Sequence, residues 1–184
     1  MLEMTKKVFL TPRESDLTLS RICYQLNENH FPWNNSVIIG LQPRGNQLAK
    51  VITERIQKNF KVDEIKSGAL DSTFHRDDFR RRESPINASP NDMSILIEGK
   101  KVILIDDVLY TGRSVRAALD ALGDYGRPAK IELCVLVDRR FSRELPIQPD
   151  YSGHRVDAIS NEKVKLDWSK ENSLSVLIEN TPHA

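Results

Sequence analysis

A chain of 184 residues with 27 Lys plus Arg against 26 Asp plus Glu, formally +1, suits one domain with a core that needs no disulfide or metal staple. Near neutrality argues against a globally basic nucleic-acid binder, so any basic patch must be local. Cys23 and Cys134 stand far apart without metal-ligand spacing, which argues against a zinc site or disulfide framework; with no signal segment and no membrane-length apolar run, a cytoplasmic protein without membrane contact is expected.

The first helix opens on a capping box, with Thr11 as N-cap, Pro12 at the first helical position and Glu14 three residues after the cap. It runs to about Asn29, with Leu19, Ile22, Cys23 and Leu26 as its apolar stripe and Arg21 and Tyr24 away from the centre of that stripe. Pro32 and Asn34-Asn35 break the chain before a strand at Val37-Ile38-Ile39. The turn Leu41-Gln42-Pro43-Arg44-Gly45 leads into a helix that turns Leu48, Val51, Ile52 and Ile56 to the sheet. Residues 66–74 read as another strand. The polar stretch beyond it, with Pro85, Pro90 and Arg80-Arg81-Arg82, makes 75–92 a mobile, lid-like arm.

Val102 to Ile105 is a continuous apolar run, expected of a strand covered on both faces in a parallel sheet. Asp106 and Asp107 then emerge at its carboxyl end, followed by Thr111-Gly112-Arg113-Ser114 and a helix with the stripe Val115, Ala118, Leu119 and Leu122 and Gly123 as C-cap. Two acids that merely start a turn, with Ser114 as an ordinary N-cap, would be the plain alternative. The uninterrupted order of strand, acids, Thr-Gly loop and amphipathic helix favours a ligand site, because open α/β sheets bind ligands at strand carboxyl ends and helix N-termini favour phosphate. The carboxylates suit ribose hydroxyls, and the loop suits a 5′-phosphate. Gly126-Arg127-Pro128 makes a turn, Ile131 to Val137 form the next buried strand, and short strands near Val164–Leu166 and Ser175–Ile178 close an α/β domain with a mostly parallel sheet.

The segment Val102–Ala118 resembles the phosphoribosyl pyrophosphate (PRPP) motif of type I phosphoribosyltransferases. With Gly126-Arg127-Pro128, Val135-Leu136-Val137-Asp138-Arg139, Arg143-Glu144-Leu145-Pro146-Ile147 and Asp150-Tyr151, the chain resembles the PyrR family within that superfamily, pyrimidine-operon attenuators that are also uracil phosphoribosyltransferases. The resemblance implies one phosphoribosyltransferase domain over 1–184, with a small hood to which 138–160 contribute. It implies that Asp106 and Asp107 are catalytic, holding the 2′- and 3′-hydroxyls, and that Val108, Leu109, Tyr110, Thr111, Gly112, Arg113 and Ser114 bind the 5′-phosphate.

A protein using PRPP must hold negative charge at both ends of the ribose. Arg44-Gly45 supplies the second anion site, since Gly lets the backbone approach and Arg forks two oxygens; its position matches the family's pyrophosphate loop, with Pro43 where Thr is usual. Arg76 and Asp77, in a segment like the family's Tyr-Arg-Asp-Asp, are expected to reach and orient pyrophosphate, with His75 in the Tyr position. Val137, Asp138 and Arg139 fall where relatives bind uracil. Mg²⁺ is the expected cofactor, carried on the substrate's pyrophosphate without a dedicated protein site. Ser20, Arg21 and Arg143 match positions used for RNA, whereas Tyr24 replaces a His and Gln148 and His154 replace basic residues.

The expected activity is conversion of uracil and PRPP to UMP and pyrophosphate. Nucleotide-responsive binding of pyrimidine leader RNA is a second function, and the implied assembly is a homodimer or larger homo-oligomer. The alternatives are an RNA-binding attenuator with little enzymatic role and a purine or other-base phosphoribosyltransferase, which would differ around Val137–Arg143.

Overall fold

The computed structural model of the protein describes residues 6–72, 75, 92–157, 162–170 and 173–180. The apolar runs legible in the sequence become parallel strands with two dry faces. β2 (Ser36–Leu41), β3 (Ser67–Leu70), β4 (Lys101–Leu109), β5 (Lys130–Arg139) and β6 (Tyr151–Val156) form a five-stranded sheet in the order β3-β2-β4-β5-β6, every neighbour parallel. Because successive side chains alternate between faces, Ile38, Ile103 and Ile105 join one buried cluster and Val37, Ile39, Val102 and Leu104 the other.

α1 (Pro12–His30) and α2 (Arg44–Phe60) cover the first face. The expected capping box is present: Thr11 Oγ1 accepts from the Glu14 amide at 3.4 Å, and Glu14 Oε2 accepts from the Thr11 amide at 2.8 Å. Leu19, Ile22, Cys23 and Leu26 are buried as the stripe requires, and Tyr24 is exposed. α3 (Arg113–Leu122) covers the second face through Val115, Ala118, Ala121 and Leu122. Leu119, counted in the apolar stripe, instead remains 39% exposed, while Ala118, Ala121 and Leu122 are buried on the second face.

The plain alternative of Ser114 as N-cap does not hold: α3 is capped by Gly112 at φ 92°, because the chain needs a left-handed turn there that glycine adopts without a Cβ clash. Gly123 is the C-cap, as expected, but in a right-handed conformation; the helix tightens into a 3-10 turn over Gly123–Tyr125, and the positive φ falls on Gly126. β4 does not stop before the acids. It continues to Leu109 along β5, with Asp106 opposite Val135 and Val108 opposite Val137, although its pairing with β2 ends at Ile105 because β2 turns away into α2.

The strand expected at 66–74 is Ser67–Leu70. Residues 138–160, expected in the hood, divide differently: Tyr151–Val156 is the edge strand of the main sheet. A separate three-stranded antiparallel sheet combines β1 (Lys6–Leu10), β8 (Ser173–Asn180) and β7 (Glu162–Lys170) in the order β1-β8-β7. It packs on the first face through Leu10, Val164, Leu174 and Val176. Among the described residues no helix is long and apolar enough to cross a membrane.

Candidate functional site

The strand order reverses direction between β2, which leads on to β3, and β4, which leads on to β5. At such a switch point the two carboxyl-end loops diverge and leave a crevice. The loop after β2 brings in Arg44 and Gly45; the end of β4 brings in Asp106 and Asp107. A Cβ on Gly45 would lie 2.4 Å from the Ile105 carbonyl oxygen and 3.0 Å from Asp106 Cα, so only glycine lets the start of α2 rest against β4. The Gln42–Pro43 peptide beside it is cis.

That approach places Arg44 Nη1 3.7 Å from Asp107 Oδ2. The two acids use their other oxygens locally: Asp106 Oδ1 accepts from the Asp107 amide at 2.9 Å, and Asp107 Oδ1 from the Val108 amide at 2.8 Å. Asp107 Oδ2 is buried, and among the described residues it has no hydrogen-bond partner. Burial, reinforced by the neighbouring Asp107, holds the Asp106 carboxyl well above the usual carboxylate range, with Arg44 pulling the other way. Buried polar atoms are nearly always paired; among the described residues this oxygen faces the Arg44 guanidinium without a hydrogen bond to it.

Next to the acids, Asp106, Val108, Leu109, Tyr110, Thr111, Gly112, Arg113, Ser114 and Val115 line a cavity of about 220 Å³ at the N-terminus of α3. Its floor is the left-handed Gly112, and the Arg113 amide donates to Thr111 Oγ1 at 3.4 Å. Free amides and hydroxyls at a helix start favour a phosphate-sized anion. The predicted loop residues are thus gathered around one concavity, which Asp106 of the acid pair also lines.

Val137 and Asp138, at the end of β5, pair with Val108 and Leu109 of β4 and are buried. Arg139 is buried as well, its guanidinium 4.2 Å above the Tyr110 ring. Arg143 points inward: it donates to the Tyr110 carbonyl and pairs with the Asp138 carboxylate, with its side chain 16% exposed. Arg21 lies elsewhere. It donates to the Ser152 and Gly153 carbonyls of β6 and, at 3.3 Å, to Gln25, near Thr18, whose hydroxyl is 2.9 Å from His154 Nε2. Ser20 is half-buried one residue before Arg21. Arg76 and Asp77 lie outside the described residues, as does most of the 75–92 arm; His75 itself sits 3.5 Å from Asp124.

The residue-by-residue reading missed Glu144, Leu145 and Ile147 as neighbours of the phosphate-sized cavity. The Glu144 and Leu145 amides donate to the Thr111 carbonyl at 3.0 and 3.2 Å, and Ile147 Cδ1 lies 3.3 Å from where a Gly112 Cβ would stand. The run Glu144-Leu145-Pro146-Ile147 carried family likeness in the sequence, but no local pattern announced a contact with a turn some thirty residues earlier. A second cavity of about 410 Å³ adjoins this segment, lined by Asp138, Arg140, Arg143, Gln148 and Arg155 among others.

Residues 13–167 match the Phosphoribosyl transferase domain family. The bifunctional protein PyrR of Bacillus subtilis is 41% identical over 181 residues, covering 95% of this chain and 98% of that protein. The bifunctional protein PyrR of Pasteurella multocida is 44% identical over 165 residues, covering 88% and 90%. Among solved structures, a hypoxanthine phosphoribosyltransferase from Staphylococcus aureus superposes with a TM-score of 0.66 at 18% identity, over 92% of this chain and 90% of that one. A hypoxanthine-guanine phosphoribosyltransferase from Bacillus anthracis gives 0.68 at 14% identity, over 94% and 98%. At such identities the last two establish a shared fold.

Proposed function

The chain belongs to the PyrR family of phosphoribosyltransferase-domain proteins, and from that membership we propose that it transfers phosphoribose from PRPP to uracil, releasing UMP and pyrophosphate. The observation that carries the reading is the placement of the acid pair between two anion-favouring turns, Arg44-Gly45 and Tyr110–Ser114, at the switch point of the sheet. PRPP has that layout, with a diol between a 5′-phosphate and a pyrophosphate.

In this reading the Thr111 and Gly112 amides with the Ser114 hydroxyl hold the 5′-phosphate. Asp106, which keeps its proton more readily than an ordinary aspartate, donates to one ribose hydroxyl, and Asp107 accepts from the other. Arg44 faces the pyrophosphate, with Arg76 and Asp77 as its further partners. The C1′–N1 bond to uracil forms as the C1′–O bond to pyrophosphate breaks, and the uracil N1 proton leaves. Positive charge that develops at C1′ is stabilised by the Asp107 carboxylate. Uracil sits over Val137–Arg139, where backbone groups at the end of β5 read its edge.

Asp107 Oδ2, which has no hydrogen-bond partner among the described residues, is a hard oxygen donor of the type Mg²⁺ takes. The ion would be held chiefly by substrate pyrophosphate and water, with Asp107 as a protein oxygen beside it. When bound, Mg²⁺ makes pyrophosphate a better leaving group.

A second activity, salt-sensitive binding of a pyrimidine leader RNA, is supported by Ser20 and Arg21 on α1, while His154 on the neighbouring β6 lacks the fixed charge usual at its position and keeps the binding weak. The protein acts in the cytoplasm as a homodimer or larger homo-oligomer. The deciding experiment is a product assay with PRPP and Mg²⁺ across uracil, hypoxanthine, guanine, xanthine and orotate. Uracil is expected to react fastest; faster turnover of a purine overturns the specificity, and no PRPP consumption with any base overturns the enzyme. Leader-RNA titrations at several salt concentrations test the second activity, which fails if no salt-dependent binding appears.

A further inference from the structure

We propose that Arg143–Ile147 is a brace that orients the phosphate-binding turn, with Arg143 as a positioning residue for phosphoribosyl transfer; this rests on the phosphoribosyl reading above. A trans peptide points the carbonyl of one residue and the amide of the next in opposite directions. Arg143 takes the Tyr110 carbonyl, and the Glu144 and Leu145 amides take the Thr111 carbonyl. With both carbonyls drawn to the brace, the amides of Thr111 and Gly112 are turned away from it, toward the cavity at the start of α3. A turn left to itself would have to pay that ordering on binding; a braced one presents its donors in advance.

The brace is fixed at both ends. Arg143 also pairs with Asp138, whose other oxygen lies 3.9 Å from Arg155 Nε, so one guanidinium ties the phosphate turn to the end of β5. Farther on, Asp150 exchanges two bonds with Leu133: its amide donates to the Leu133 carbonyl at 2.9 Å, and its Oδ2 accepts from the Leu133 amide at 2.8 Å. Leu145 and Ile147 fill the space beside Gly112. The contact therefore uses the open side of the one glycine whose positive φ makes the turn possible.

Arg suits this position and Lys does not. The guanidinium reaches two acceptors in fixed directions, whereas an ammonium is a single point charge that would serve one of them well. With its side chain 16% exposed and its donors committed to Tyr110 and Asp138, Arg143 is a poor surface contact for RNA phosphate. The exposed Arg113–Glu144 pair, at 2.6 Å, contributes little by comparison.

The test measures ribose 5-phosphate affinity by calorimetry and KM for PRPP, KM for uracil and Tm, in the unmodified protein and in R143Q, R143K and R55Q. R143Q is expected to weaken ribose 5-phosphate binding and raise KM for PRPP roughly tenfold, with a smaller change in KM for uracil. R143K recovers only part of this, and R55Q, which removes the surface Arg55–Asp16 pair, stays within about twofold of the unmodified protein. Unchanged ribose 5-phosphate affinity in R143Q, or full recovery in R143K, overturns the brace. A fall in Tm at unchanged affinity does so too, since it marks a merely structural role. If R143Q does not fold, R143K is read in its place, and severalfold weaker binding supports the proposal while unmodified affinity overturns it. An unmodified protein that binds no ribose 5-phosphate removes the phosphoribosyl reading itself, whereas binding that survives R143Q removes only the brace.

Discussion

The two edges of the same parallel sheet treat buried polar groups in opposite ways. At the amino edge, His30 Nε2 lies 2.8 Å from Glu132 Oε2 and His30 Nδ1 lies 2.9 Å from the Ser36 hydroxyl. Tyr151 donates to Glu132 at 3.3 Å and accepts from Asn29 at 3.1 Å, and Lys130 closes the cluster from the solvent side. Every group there answers another. At the carboxyl edge Asp107 Oδ2 is also buried but among the described residues faces Arg44, at 3.7 Å, without a hydrogen bond, and burial raises the Asp106 carboxyl pKa beside it. A completed network rigidifies a fold, whereas an incomplete one is costly unless a ligand completes it. The contrast separates a polar cluster completed within the fold from one that, among the described residues, is left open.

The largest expected effect tests the incomplete edge. Asp107→Asn is expected to lower kcat/KM for uracil transfer by about 2 to 4 kcal/mol of transition-state stabilisation while leaving urea-unfolding stability close to that of the unmodified protein. Steady-state kinetics beside an unfolding curve reads both; wild-type kcat/KM would remove Asp107 from the site. At the completed edge the signature reverses. Glu132→Ala leaves His30 and Tyr151 without their shared acceptor and is expected to cost about 2 to 3 kcal/mol of stability, with specific activity per folded molecule retained. Lost activity at unchanged stability would dissolve the distinction between the edges.

Ser36→Ala sharpens the comparison on a smaller scale, because it removes a single partner of His30; chemical denaturation is expected to show a loss of about 1 kcal/mol. The pH dependence of stability separates the edges by sign. Burial lowers the His30 pKa in the fold, against the raising effect of Glu132, so the unfolded chain binds the proton more readily. Stability from this group is therefore lost as pH falls from the unfolded histidine value, about 6.5, through the folded one. Asp106 is raised by burial and by Asp107, so its contribution is present below the unfolded aspartate value, about 3.9, and is lost as pH rises through the folded value. Stability curves of Asp106→Asn are expected to be flatter than those of the unmodified protein above that lower value, with the acid-side loss from His30 intact; superimposable curves would contradict the raised Asp106.

The acid pair, the Thr-Gly turn and the amphipathic α3 were legible because all their signals are local. An apolar run followed by Asp-Asp, a glycine and period-3.6 alanines needs no distant partner to be recognised. β1 and β6 were not, because Lys6–Leu10 and Tyr151–Val156 are short edge strands of mixed polarity, and the partner of β1 lies at the far end of the chain. Leu119 misled for a related reason. Its spacing fits the stripe, yet the buried face of α3 is centred on Val115, Ala118, Ala121 and Leu122, which leaves that leucine at its margin.

Sequence by itself determined the parallel α/β architecture, the capped first helix and which groups are candidates for a PRPP site, since these follow from periodicity and from short motifs whose chemistry is carried by adjacent residues. Only the tertiary structure decided how those groups are poised. Gly45 touching β4 brings Arg44 to Asp107, and burial of the acid pair raises Asp106. Arg143, which sequence likeness assigned to RNA, is turned inward onto Tyr110 and Asp138. Each depends on distance across elements separated by tens of residues, and electrostatic energy and hydrogen bonding are set by that distance and by the solvent excluded from it, neither of which is written in local order.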